Sequence, residues 1–161
     1  MPEQRVGIGF DAHAFADGRR LVLAGVEIDH PRGLAGHSDA DLVSHAVTDA
    51  LLGAAGGADI GALYPSDDPS LEGASSIDLL ARAWAALAAQ GWRIVNVDAV
   101  VIMQEPRLAP HREAMRARLS QALAVEPERV TVRASTTDRL GFAGREEGAA
   151  CQAVALLETP A

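Results

Sequence analysis

Lysine is missing from this 161-residue chain, whose 14 basic residues are all arginine. Without an ε-amino group the protein can neither form a Schiff base with a carbonyl substrate nor build a Walker-type phosphate loop around its lysine. Cysteine occurs once, as Cys151, which excludes an internal disulfide and a cysteine-based zinc site and leaves histidine and carboxylate as the only strong metal ligands. Aromatic residues amount to 4%, so the core must be assembled from the Ala, Val, Leu and Ile that dominate a 48% hydrophobic content. No apolar run approaches the roughly 18 residues of a membrane span, and Met1 to Arg5 lead straight into a strand-like segment without an apolar leader core. The expected setting is a reducing cytoplasm. The 14 bases face 22 acids, a formal net charge of −8, which argues against nucleic acid or an anionic membrane as partner. A charged fraction of 22% in a chain this apolar describes one soluble globular domain.

The acids are unevenly spread. No basic residue stands between Arg32 and Arg82, whereas Asp39, Asp41, Asp49, Asp59, Asp67, Asp68, Glu72 and Asp78 do. Two readings are open: helix N-terminal carboxylates on a solvated face, or a cation-binding region.

Val6 to Phe10 reads as a short buried strand whose Gly7 and Gly9 admit a close neighbour. Asp17-Gly18 marks a turn, and Leu21–Leu23 with Val26–Ile28 form a hairpin around Gly25. From Ser38 the period becomes helical, with an S-x-x-D cap at Ser38 and Asp41, an apolar stripe of Val43, Val47, Ala50, Leu51 and Ala54, and a stop at Gly56-Gly57. A loop over 58–73 is long enough to suggest function. A second helix runs from Ser75 or Ser76 to Gly91, with Ile77, Leu80, Ala81, Trp84, Leu87 and Ala88 inward, and Ile94 to Met103 is expected as a central strand. A third helix lies between Pro110 and Pro127, followed by strands at Val130–Ser135 and Ala150–Leu157 and a glycine-rich loop from Thr136 to Gly148 between them. The sum is a single α/β domain over residues 1–161, a mixed β-sheet with helices packed on one face.

Asp11 and His13, two apart at a strand end, project from one face if the extended geometry continues. Alone such a pair is equally a satisfied polar contact. Asp41, His45 and Asp49, spaced four apart, make a polar stripe on the first helix. Asp11, His13 and His45 together form a carboxylate–imidazole set that suits Zn²⁺ with a fourth position open, and either Asp41 or Asp49 could orient His45. His37 precedes the helix where backbone N–H groups favour a phosphate. Ser135-Thr136-Thr137-Asp138 reads either as a strand edge or as a holder for phosphate and a divalent ion.

Taken together, Gly7-Ile8-Gly9-Phe10-Asp11-Ala12-His13, Gly36-His37-Ser38-Asp39-Ala40-Asp41, the run from His45 to Ala54, Asp59-Ile60-Gly61 and Thr136-Thr137-Asp138-Arg139-Leu140-Gly141-Phe142 resemble the 2-C-methyl-D-erythritol 2,4-cyclodiphosphate synthase family of the non-mevalonate isoprenoid pathway. The resemblance runs nearly end to end. It implies a homotrimer with active sites between subunits, and cyclisation of 4-diphosphocytidyl-2-C-methyl-D-erythritol 2-phosphate with release of CMP. It implies Zn²⁺ on Asp11, His13 and His45, and a second ion, Mg²⁺ or Mn²⁺, held by Asp138 with the substrate phosphates. By family position His37 and Thr136 steady the transition state, Asp11, His13, His37 and Ser38 approach the phosphates, and Asp59, Ile60, Gly61, Tyr64, Pro65, Ser66, Asp67 and Asp68 cover the methylerythritol part. Met103, Gln104, Glu105, Pro106, Arg107, Leu108 and Ala109 receive cytosine mainly through the backbone, beside Ser135, Thr136 and Thr137. Phe142 and Arg145 line the trimer axis, where an isoprenoid diphosphate would sit. Three departures stand out. Asp138 occupies a position usually held by Glu, one methylene shorter in reach. Glu146 and Gln152 alter the charge expected near the axis. Met103 and Glu105 replace smaller residues in the cytosine segment. Two other readings use the same residues: a zinc phosphodiesterase that activates water, and a non-catalytic trimeric isoprenoid-binding protein.

Overall fold

A computed structural model describes residues 1–160. Strand β1 (Gln4–Asp17) pairs antiparallel with β4 (Arg32–Leu34) on one side and with β7 (Gly148–Glu158) on the other; β7 pairs antiparallel with β5 (Arg93–Ile102), and β5 runs parallel to the edge strand β6 (Val130–Ser135). The sheet order is β4-β1-β7-β5-β6, with the hairpin of β2 (Leu21–Leu23) and β3 (Val26–Ile28) apart from it. Helix α1 (Leu42–Ala54) packs on β1 and β7, α3 (Ser76–Ala89) packs on α1, and α4 (Arg112–Leu123) packs on β6 and α3. The mixed sheet with its helices on one face is as expected.

The first strand differs from its expected form in length and in face. It is 14 residues long and carries Asp11 and His13 within it. Its odd residues face the helices, so Gly7 and Gly9 are buried while Val6, Ile8 and Phe10 are 68%, 61% and 57% exposed. The glycines are needed because α1 lies directly on them: a Cβ at Gly9 would collide with the Ala46 carbonyl, and one at Gly7 with the Ala50 carbonyl and the Ala54 amide. The small side chains of Ala46, Ala50 and Ala54 complete this close approach.

Helix α1 starts at Leu42, three residues later than the S-x-x-D pattern suggests, because Asp41 is its N-cap. The fully buried Asp41 carboxylate accepts the Ser44 N–H and hydroxyl on the helix and the Ala24 and Gly25 N–H groups of the β2–β3 turn. Ala24 and Gly25 both take positive φ, 51° and 72°, to present those donors. Among the helix faces, Leu79 and Ala83 are buried on α3 where Ala88 was expected, and Ala88 is exposed. The central strand is β7, with β5 one place toward the edge, since the parallel β6 adds beyond β5. Both loops contain short helices, α2 (Ile60–Leu63) in the first and α5 (Gly141–Gly144) in the second. No described helix is long and apolar enough to cross a membrane.

Candidate metal centre and substrate cleft

Close packing of α1 on the glycine face of β1 carries His45 over the two residues next along that face, Asp11 and His13. The Asp11 Oδ2 atom lies 2.8 Å from His13 Nε2 and 2.9 Å from His45 Nδ1. One ligand atom from each residue falls within 4.8 Å of the others, close enough to share an ion. Among the described residues no other group of three histidine, cysteine or acid side chains gathers this closely. The opposite nitrogen of His13 donates to the Ala35 carbonyl at 2.7 Å; a carbonyl has no proton to offer, so Nδ1 carries the hydrogen and Nε2 is left as the ligand atom. This donor set fits a small divalent cation.

Electrostatics agree. Burial alone would raise the Asp11 carboxyl, but hydrogen bonds from His13 and His45 and their charge outweigh it and hold the pKa at about 2. At His13 burial favours the neutral ring, yet the hydrogen bond and charge of Asp11 prevail and raise the pKa above 6.5. A metal bound there would compete with the proton at His13. Zinc affinity is expected to fall by up to about tenfold per pH unit below the raised His13 value, read by competition with a chromophoric chelator between pH 8 and 5.5; a flat profile contradicts the ligand assignment. In the metal-free protein the signs separate. The raised His13 contributes stability that is complete below 6.5 and lost as pH climbs through its folded value; the lowered Asp11 contributes stability present above 3.8 and lost as pH falls toward 2. Its melting temperature is expected to peak between those limits.

The trio opens into a cavity of about 500 Å³. His37, Ser38, Ile60, Gly61, Tyr64, Pro65, Ser66 and Asp67 line it with Leu71 and Leu79, which the sequence did not indicate. Asp59 stands at its rim as the N-cap of α2, accepting from Ala62 N at 2.9 Å. Asp68 caps the turn at Ser70, and its carbonyl accepts the His37 Nε2 hydrogen at 2.7 Å. His37 thus borders the cleft four residues ahead of Asp41, the N-cap of α1, whose carboxylate accepts Ser44 N.

Neither Asp41 nor Asp49 orients His45. Asp41 is committed to its cap, and the Asp49 Oδ1 atom accepts from Ile60 N at 2.7 Å, fastening α2 to α1. The residue found there instead is Ser76, whose Oγ is 2.8 Å from His45 Nε2, with Ser38 Oγ at 3.3 Å. The linear order marked Ser76 only as a possible helix start; its contact with His45, 31 positions away, had no local sign. The acid-rich interval is thereby largely explained: Asp39, Asp41, Asp49, Asp59 and Asp68 all accept backbone N–H groups, and the one carboxylate of the metal trio, Asp11, lies outside it.

The remaining predicted residues gather elsewhere. Met103 N donates to the Ser135 carbonyl at 3.0 Å and Arg139 N to Gln104 Oε1 at 3.1 Å, which brings the 103–109 segment alongside Ser135, Thr136, Thr137 and Asp138. Met103 and Leu108 are buried there. Register places Asp11, Cys151, Val101 and Ala134 side by side across β1, β7, β5 and β6, so this group is about 14 Å from the trio at the usual strand spacing. Asp138 is exposed, at a positive φ of 51°. Phe142 lines a second, apolar hollow of about 530 Å³ with Phe10, Ile102, Thr137 and Leu140, and Arg145 is paired with Glu147 at 2.6 Å. The residues expected at the site thus form two separate clusters in one chain.

An α/β domain with an Asp–His–His group able to hold a metal ion beside a cleft is the scaffold of an enzyme class in which such a group meets substrate. A profile described as the YgbB family matches residues 4–158. The chain is 59% identical over 161 residues to the 2-C-methyl-D-erythritol 2,4-cyclodiphosphate synthase of Rubrobacter xylanophilus, covering 98% of this chain and 97% of that one. It is 54% identical over 154 residues to the synthase of Dechloromonas aromatica, covering 96% of each. A solved structure of the synthase in a CDP-bound form superposes with a TM-score of 0.86 at 36% identity, covering 95% of this chain and 99% of that one. The bifunctional IspDF from Campylobacter jejuni superposes with a TM-score of 0.96 at 41% identity over 99% of this chain, which spans 43% of that protein. The chain belongs to the YgbB family, that of the 2-C-methyl-D-erythritol 2,4-cyclodiphosphate synthases, lyases of isoprenoid biosynthesis that act on phosphorus–oxygen bonds.

Proposed function

We propose that this chain, as a single synthase domain over residues 1–161, converts 4-diphosphocytidyl-2-C-methyl-D-erythritol 2-phosphate to 2-C-methyl-D-erythritol 2,4-cyclodiphosphate and CMP. The observation that carries the reading is the convergence of Asp11 Oδ2, His13 Nε2 and His45 Nδ1 at the mouth of a cleft. Those three residues would hold Zn²⁺, and Asp138 would hold Mg²⁺ or Mn²⁺ together with the substrate phosphates. When bound, the two cations supply Lewis acidity and charge neutralisation at the diphosphate.

The substrate's own 2-phosphate is the nucleophile. One of its oxygens bonds to the β-phosphorus while the bond from that phosphorus to the bridging oxygen breaks, and the electron pair leaves on the phosphate of CMP. The protein needs no serine, cysteine or lysine nucleophile, which is why a chain without lysine suffices. Its task is to hold the attacking phosphate in line. His37 and Ser38 would contact the phosphates, the wall from Ile60 to Asp67 would enclose the methylerythritol part, and Met103 to Ala109 would take cytosine by main-chain groups. Thr136 would steady the transition state.

A homotrimer with sites between subunits is supported by two features. The two clusters lie apart within one chain, and the sheet face away from the helices is bare and apolar at Val6, Ile8, Phe10 and Val154. The hollow at Phe142 would then lie at the axis and accept an isoprenoid diphosphate. A cytoplasmic location, and no nucleic acid or membrane partner, fit the charge of −8.

Incubating the purified chain with the cytidylyl substrate and following ³¹P resonances is expected to yield a cyclic diphosphate and CMP, from a particle three times 16.8 kDa by sedimentation. A linear phosphate product would replace this reading with a zinc phosphodiesterase, and no turnover in a metal-loaded trimer would leave only isoprenoid binding. Asp138→Ala is expected to raise the Mg²⁺ or Mn²⁺ concentration for half-maximal rate about tenfold, a loss of one weak ligand, with zinc content unchanged. Equal loss of both metals would show the second site to be misassigned.

A further inference from the structure

The trio is held by more than its own three side chains. Ser76, the first residue of α3, is 1% exposed and sits between His45 and Asp39. Its Oγ is 2.8 Å from His45 Nε2 and donates to Asp39 Oδ1. Asp39 is itself immobilised, with Oδ2 accepting Ser76 N at 3.1 Å and Oδ1 accepting Asp41 N at 3.1 Å. It thereby supplies the N-terminal acceptor that Ser75, which makes no side-chain cap, does not provide.

Hydrogen-bond direction follows from this arrangement. A carboxylate only accepts, so the Ser76 hydroxyl hydrogen belongs to Asp39, and the oxygen turns a lone pair toward His45. A ring whose Nδ1 is given to a metal carries its hydrogen on Nε2, and this lone pair is placed to accept it. The other polar neighbour of Nε2, Ser38 Oγ at 3.3 Å, accepts Ala40 N and lies 3.2 Å from Ser76 Oγ, to which it can give its own hydrogen. Without an ion, Nδ1–H donates to the Asp11 carboxylate at 2.9 Å; with an ion bound, the ring hydrogen belongs on Nε2, where Ser76 accepts it, and the Nδ1 lone pair is free for the metal. At His13 the Ala35 carbonyl performs the same task with the nitrogens reversed.

We propose that Ser76 and Asp39 form a positioning relay that fixes His45 in the tautomer able to bind the metal through Nδ1, and that fastens the start of α3 to the metal centre. This deepens the metal assignment proposed above and rests on it. Neither residue lines the cleft or belongs to the ligand trio. The relay also joins the end of the cleft-lining loop to the ligand, since Gly73 N donates to the His37 carbonyl and Asp39 N to the Ala74 carbonyl in the same stretch.

The test uses full-length metal-free protein and the metals alone. In Ser76→Ala, zinc affinity by chelator competition is expected to fall 10- to 100-fold, the range for loss of an outer hydrogen-bond partner of a ligating histidine. The Co²⁺-loaded wild type is expected to show two exchangeable, hyperfine-shifted ring N–H resonances, one from His13 Nδ1–H and one from His45 Nε2–H. Ser76→Ala should lose the second to solvent exchange and keep the first, a change that mere loosening of α3 would not produce. Asp39→Asn retains an oxygen for the Ser76 amide but leaves the hydroxyl free to donate to Nε2, so the ring is driven to its Nδ1–H form and zinc affinity falls over the same range. Wild-type zinc affinity and both resonances in these variants would overturn the relay alone. A wild type that binds neither Zn²⁺ nor Co²⁺ would overturn the metal centre itself and the relay with it.

Discussion

His45→Ala is expected to purify folded, without zinc and without measurable turnover. The imidazole is 16% exposed at the cleft rim and outside the apolar core, so its removal should lower stability by about 1 kcal/mol, in the ordinary range for a non-core position. The loss of metal is much larger. One of three ligands disappears, leaving Asp11 and His13 on a single strand, and affinity should drop by more than the roughly 100-fold that changes to outer partners produce. Asp11→Asn should act similarly by another route: the amide keeps the shape but removes the negative charge that holds His13 above its ordinary pKa and balances the ion. Metal analysis and a thermal melt on the same sample separate the two effects. Unchanged zinc content in either variant would remove the basis of the site.

The second large effect is on the fold and reaches the site through it. Gly9→Ala would set a methyl group into the Ala46 carbonyl on the facing turn of α1, where backbone meets backbone and no side chain can swing away. Overpacking of this kind costs about 3 kcal/mol, which for a domain of this size lowers the melting temperature by about 6–12 °C. The helix must also lift from the strand, which carries His45 away from Asp11 and His13. Zinc affinity is therefore expected to fall with stability in Gly9→Ala. Gly18→Ala is the control: a Cβ there meets nothing within 4 Å, and although its φ of 73° imposes a modest strain, that position is remote from α1. A Gly9→Ala protein with wild-type melting and metal affinity would show that the close approach of α1 is not required.

Much of the secondary structure was legible because local chemistry decides it. The strand at Val130–Ser135, the hairpin around Gly25 and the helices ending near Gly91 and before Pro127 follow from periodicity and turn residues. Where the reading missed, a distant partner had intervened. The start of α1 depends on the β2–β3 turn, whose amides hold Asp41, so Ser38 is left in the loop although its sequence pattern is a good cap. The inward face of β1 depends on α1, which selects the glycines and leaves Val6, Ile8 and Phe10 uncovered. Short β4 has too few residues to show a period and exists because β1 is long enough to pair with it.

The same division runs through the site. Asp11 and His13 were visible as a pair because strand geometry puts alternate residues on one side, and the loop from Asp59 to Asp68 was visible from its length and its prolines. The link from Ser76 to Asp39 and His45 was not visible, since a hydrogen bond between residues 37 positions apart leaves no mark on either neighbourhood. The acid-rich interval suggested cation binding and turned out to consist mainly of caps, a choice made by backbone N–H groups that only the folded chain presents.

Composition and order alone determined which chemistry was open to this protein: no lysine, one cysteine, and a carboxylate with two imidazoles as its ligand set. The tertiary structure decided which of these groups meet, Asp11 with His13 and His45 and Ser76 with Asp39, because both contacts depend on packing of helix on sheet, and packing has no local signature.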